Sequence, residues 1–104
     1  MRKPTVAEQA YHDRLCRIVG CIACWIDGHF NDWCSIHHRY GRTKPGCHKK
    51  VLSLCAGHHQ QGAGEDPHMI ARHPNKAAFE AKYGTEADLQ AMCDRILEKT
   101  AARA

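Results

Sequence analysis

Two chelating turns stand out in this chain, Cys21-Ile22-Ala23-Cys24 and Cys55-Ala56-Gly57-His58, separated by residues 25–54. A gap of two residues aims both side chains of a turn at one point. Two such turns supply the four ligands of a tetrahedral zinc ion. Because the ligands converge only in the folded chain, the free energy of metal binding becomes free energy of folding.

The chain holds seven Cys and nine His, two residue types whose shared chemistry is transition-metal binding. Cys16, Cys34, Cys47 and Cys93 fall outside the two turns and read as small core residues. Among the histidines, His37-His38 follow a short apolar stretch and His59 directly follows the second turn. Neighbouring residues on a strand point to opposite faces, so one of the pair can ligate a metal while the other is held apart from it. Phosphodiester hydrolysis needs that division: a cation on the phosphate, and a base titrating near neutrality to take a proton from water. His12 and His29 adjoin no motif and read as solvated or hydrogen-bonded side chains. Trp25 and Trp33, close to the first turn, are expected to cover the zinc and add to a scarce core.

Arg39, Arg42, Lys44, Lys49 and Lys50 cluster around His38, where they can meet DNA phosphates with little sequence preference. The net charge of +4 agrees with an anionic partner. Mean hydropathy is −0.56, so apolar packing alone is thin for 104 residues and a metal staple is expected. Met1-Arg2-Lys3-Pro4 leads into a polar helical stretch rather than a signal peptide, and no apolar run approaches bilayer length. A reducing cytoplasm and free or metal-bound thiols are therefore expected.

These residues need a scaffold. Thr5-Val6-Ala7-Glu8 has the form of a capping box, opening a helix whose apolar positions are Ala7, Ala10, Tyr11, Leu15, Ile18 and Val19, ended by Gly20. Two brief strands are expected around Ser35–His38 and Val51–Leu54, joined by a loop from Arg39 to Lys50. A short helix from Cys55 to Gln61 should stop at Gly62-Ala63-Gly64. Asn75 caps a helix ending at Gly84, and Thr85-Glu86-Ala87-Asp88 forms a second capping box. The last helix carries an apolar stripe of Leu89, Met92, Cys93, Ile96 and Leu97. The expectation is one α+β domain over residues 1–104, helix-rich with a minimal two-stranded β element. Its parts are a leading helix over 6–19, a zinc knuckle and core over 21–62, and C-terminal helices over 75–100.

The run from Ser35 through His37-His38-Arg39-Tyr40-Gly41-Arg42-Thr43-Lys44-Pro45-Gly46, with His48, Leu54-Cys55, His58-His59, His73-Pro74 and Phe79-Glu80-Ala81-Lys82-Tyr83-Gly84, resembles the phage recombination-enhancement nucleases. These are a RecA-dependent variant of the HNH (ββα-metal) endonucleases, and the likeness spans about residues 16–95. It implies a small zinc-stabilised HNH variant that cleaves DNA with the RecA filament in phage recombination, inside the bacterial host cell, leaving 5′-phosphate and 3′-hydroxyl ends. Carried over by motif, His37 takes the first-strand metal position, His38 the general base, His48 the middle position that orients the loop, and His59 the helix metal position. The usual further ligand, four residues beyond His59, is here Ala63. His73 is the replacement, with His68 behind it. The active-site cation implied is Mg2+, Mn2+ or Zn2+, beside a structural Zn2+. Longer relatives carry an extra basic N-terminal region, so weak autonomous DNA binding is expected of this chain. Two other classes fit the same residues: a zinc-stabilised DNA-binding adaptor of recombination without chemistry, and a redox or metal-buffering protein using the surplus thiols. The adaptor predicts one bound metal and no effect of losing His38; the buffer predicts reactive thiols in the zinc-loaded protein.

Overall fold

The computed structural model describes residues 3–41, 43–59, 70–72 and 75–102, with residues 101 and 102 described by their backbone alone. Helix α1 (Val6–Arg14) opens as expected: the Thr5 hydroxyl accepts from the Glu8 amide at 3.1 Å and the Glu8 carboxylate accepts from the Thr5 amide at 2.8 Å. This reciprocal pairing satisfies two otherwise unpaired amides. The helix then loosens into a π-helical turn, Leu15–Val19. Its inward face is not the one expected from the alanines. Ala7 and Ala10 face solvent, and Glu8, His12, Leu15 and Val19 are buried, with Tyr11 packed at the edge. Alanine is too small to set the rotation of a helix, and the longer side chains set it instead.

Gly20 ends this segment with φ +69°, and a Cβ there would lie 2.5 Å from the carbonyl oxygen of Asn31. Only glycine allows both the left-handed turn and that close approach. The Cys21 amide donates to the same carbonyl at 2.8 Å, which seats the start of α2 (Ile22–Ile26) against the following loop.

Strands β1 (Cys34–His38) and β2 (Val51–Cys55) pair antiparallel, Cys34 opposite Cys55 and His38 opposite Val51. Each is one residue longer than expected. Every residue of β2 is buried, because it packs against the π turn, α2 and α5 as well as against β1. A 3-10 turn, Cys47–Lys49, interrupts the connecting loop, and α3 (Ala56–His59) follows β2 without a break. The expected continuation of α3 to Gln61, and its glycine stop, lie outside the described residues.

Helix α4 (Lys76–Tyr83) follows Asn75 and gives way to Gly84; α5 (Glu86–Ala102) starts with the Thr85 hydroxyl accepting from the Asp88 amide at 3.2 Å. The expected stripe faces inward: Leu89, Cys93 and Leu97 are buried, and Met92 and Ile96 pack beside them. Phe79, Leu15, Ile22, Leu52, Leu54 and Leu89 form the bulk of a small core that also holds Cys21, Cys24 and Cys55. The molecule is thus a small α+β fold built on a two-stranded sheet. Among the described residues no helix is long and apolar enough to cross a membrane.

Candidate functional site

Cys21, Cys24, Cys55 and His58 bring their donor atoms within 4.8 Å of one another, and all four residues are buried. The His58 Nδ1 atom lies 3.4, 3.5 and 3.2 Å from the sulfurs of Cys21, Cys24 and Cys55, and the Cys24 and Cys55 sulfurs are 3.8 Å apart. A tetrahedral zinc with ordinary bond lengths has ligand edges of roughly 3.6 Å between N and S and 3.8 Å between two sulfurs. The donor set fits zinc in type, number and spacing. Local geometry explains the convergence: the Cys24 amide donates to the Cys21 sulfur at 3.4 Å, and Cys55 and His58 straddle the junction of β2 and α3. A hydrogen bond from Cys21 draws the Cys55 thiol well below the usual range, and the Cys21 thiol is pushed up in turn.

A supporting layer surrounds these ligands. His58 Nε2 is 3.1 Å from the Tyr83 hydroxyl, which donates to Asp27 at 2.7 Å, and Asn31 donates to the Cys24 sulfur at 3.7 Å. Such partners fix the tautomer and orientation of a ligating imidazole. They also occupy the place expected for the tryptophans. Trp33 is 86% exposed and Trp25 41%, so neither is a core residue, and the knuckle is covered by Tyr83 and Asn31. Trp33 lies in the loop just ahead of β1 and is left to solvent.

The second group of donors lies at the end of β1. His37 Nδ1 and His59 Nε2 are 3.1 Å apart, joining β1 to α3. The other nitrogen of His37, Nε2, meets the Glu86 carboxylate at 2.5 Å, and Arg72 pairs with the second Glu86 oxygen at 3.3 Å. Burial pushes the Glu86 carboxyl up, but the bonds from His37 and Arg72 outweigh it and hold the group below its usual range. His38, on the opposite face of the strand, places Nε2 3.1 Å from Nδ1 of His48. A cleft of about 350 Å³ lined by His37, His38, Arg39, His59 and Arg72 opens on one side. One of about 430 Å³ lined by His12, His38, His48 and His59 opens on the other. His38 and His59 border both. A pair of ring nitrogens at this spacing can share a proton or flank a cation, and His38 lines the same clefts as His59.

His37, His38, His48 and His59 are therefore brought together, whereas His73, His68 and Arg42 lie outside the described residues. Of the expected phosphate contacts, Arg39 is partly committed to the fold, donating to Gln90 at 2.6 Å. Gln90 in turn donates to the Lys49 carbonyl, which ties α5 to the loop. Arg39, Lys44 and Lys50 stand 5.2, 5.8 and 5.3 Å from the centre of the exposed Tyr40 ring. Lys49 is exposed on the same loop. Of the two histidines read as solvated or hydrogen-bonded, His29 is exposed, and His12 is the hydrogen-bonded one, buried beside His38 and His48. Glu86 was legible only as part of a capping box, Tyr83 only as part of a run that carries the family resemblance, and nothing local in the sequence marks Arg72 or Asp27. Cys47 and Cys93 are buried, and burial raises the Cys93 thiol to about 12. Cys16 and Cys34 are half-buried neighbours, the Cys16 sulfur 3.9 Å from the Cys34 carbonyl.

A family model described as recombination enhancement, RecA-dependent nuclease, matches residues 4–98, a stretch that holds the knuckle, both strands and the histidine cleft. The chain belongs to this family of RecA-dependent recombination-enhancement nucleases.

Proposed function

We propose that the protein is a metal-dependent DNA endonuclease of the HNH (ββα-metal) kind, hydrolysing phosphodiester bonds in concert with RecA filaments. One observation carries this reading: His37 Nδ1 and His59 Nε2, from two different elements, come within 3.1 Å of each other with His38 beside them on the opposite strand face. Two imidazoles on one divalent cation have their nitrogens about 3.0–3.4 Å apart. The order β1, β2, α3, with histidines ending the strand and on the helix, supports the ββα assignment.

In this reading His37 and His59 hold the cation, with His73 as the further ligand, and the structural zinc sits in the knuckle. The cation, Mg2+, Mn2+ or Zn2+, supplies electrophilic polarisation of the scissile phosphate. Glu86 accepts from His37 Nε2, which leaves Nδ1 as the ligating atom and fixes the ring. His38 removes the proton from water as the water oxygen attacks phosphorus in line with the departing 3′-oxygen. For His38 to accept that proton at Nδ1, its Nε2–H must donate to His48 Nδ1, so His48 steadies the imidazolium as it forms. Arg39, Arg42, Lys44, Lys49 and Lys50 hold the flanking phosphates, with affinity that falls as salt rises.

Replacing His38 by Ala is expected to lower nicking of supercoiled DNA about 10²- to 10⁴-fold. Zinc content and melting temperature should stay as in the unaltered protein. Unimpaired nicking by that variant would reject the mechanism in favour of a non-catalytic DNA-binding adaptor.

A further inference from the structure

We infer that His12, on α1, is a positioning residue for the His38–His48 pair; the inference rests on the hydrolytic reading above. His12 is 5% exposed, and its Nε2 lies 2.7 Å from the backbone carbonyl of His48. A carbonyl only accepts, so Nε2 carries the proton and donates. The acceptor sits in the 3-10 turn Cys47–Lys49, a three-residue element between two loops. The turn is held by its own bonds, the Lys49 amide to the Gly46 carbonyl and the Lys50 amide to the Cys47 carbonyl, and by Gln90 on the Lys49 carbonyl, while the carbonyl of His48 itself is held by His12. The bond from His12 fixes the backbone from which the His48 ring projects, and that ring meets His38 at 3.1 Å.

The surroundings fit this role. The His12 ring stands edge-on to His38 at 6.0 Å between centroids and 6.0 Å from His48, so its bulk also limits how far either can turn. His12 is held by α1 through the capping box at Thr5 and Glu8 and by the buried Leu15 and Val19 one and two turns onward. The leading helix thereby becomes part of the catalytic apparatus, at a distance of 36 residues from the loop it holds. Its side chain and the substrate phosphate need not touch: His12 acts on His48, and His48 on His38.

Three variants test the latch. His12→Phe keeps the volume and removes the donor. His12→Gln places an amide N–H where Nε2 stood, and His12→Asn stops short of it. Zinc-loaded His12→Phe should lose about 10- to 100-fold in kcat, the scale of a small displacement of a reacting group. Its KM for DNA should change less than about twofold, because no phosphate contact is touched. His12→Gln should recover kcat to within about threefold of the unaltered chain, since the hydrogen bond is kept. Should His12→Phe fail to fold or to retain zinc, His12→Asn carries the same expectation. Unaltered kcat in the donor-less variant, a rise in KM in place of the fall in kcat, or no recovery with glutamine would overturn the inference. A second readout is independent of activity: the ¹⁵N ring shifts of His48 and His38 should move in His12→Phe and return in His12→Gln. If His38→Ala proves fully active, the hydrolytic reading is at fault, and the ring shifts still decide whether His12 sets His48; unmoved shifts reject the latch.

Discussion

The molecule holds two clusters of cysteine and histidine side chains, and they are built to opposite specifications. Cys21, Cys24, Cys55 and His58 are buried on every side, with Tyr83, Asp27 and Asn31 closing the second layer. His37, His38, His48 and His59 border two open clefts and are backed by Glu86 and Arg72. A closed site with all ligands from protein suits a structural ion, whereas an open one with few protein ligands leaves room for substrate. His58 and His59 are neighbours in α3, yet one completes the knuckle and the other reaches the cleft. One short helix serves both clusters, and in the function proposed above it carries a cation ligand, His59, from a base tethered at the knuckle. The knuckle is thus more than a staple: it fixes where His59 can be.

The largest expected effect comes from breaking the closed site. Cys55→Ser, or a strong chelator acting on the unaltered protein, should abolish the cooperative thermal transition followed by near-ultraviolet circular dichroism. Zinc binding in small metal-dependent domains is worth about 10–16 kcal/mol, more than a core of this size supplies. A chelated protein that melts as before would erase the contrast between the sites. Next is the support of the open site. Glu86→Gln keeps the shape but weakens the acceptor for His37, and the affinity for Mn2+ should fall about 10- to 100-fold by titration while the melt is little changed. An unchanged affinity would detach Glu86 from the cation. Smallest is Tyr83→Phe, which removes the hydroxyl between His58 and Asp27. Asp27 already lies 3.4 Å from His58 Nε2 and can take over part of its role. A loss of about 1 kcal/mol is expected, visible as a fall of some 4–8 °C in melting temperature with nicking unaffected.

The closed site was legible in the sequence because a two-residue gap between ligands is a local geometric fact. The strands, the capping box of α1, the Thr85 cap of α5 and the stripe of α5 were legible for the same reason, since each is written within a few residues. What was hidden depends on how distant elements dock. Glu86 reads locally as the first residue of a helix, and only the packing of α5 sends its carboxylate to His37, 49 residues away. His12 reads as a solvated or hydrogen-bonded side chain because it adjoins no motif, and its partner, the His48 carbonyl 36 residues on, appears only when the helix meets the loop. Trp33 shows the converse. Its size promised core, but in the loop ahead of β1 it stands in solvent.

Titrating Mn2+ into zinc-loaded protein, followed by electron paramagnetic resonance, tests the open site most directly. The unaltered chain should bind one Mn2+ beside its zinc, and the His37→Ala, His59→Ala double variant should bind none while retaining zinc and its melt. A zinc-loaded chain that takes up no second ion, or a double variant that binds Mn2+ as well as the unaltered protein, would contradict the account.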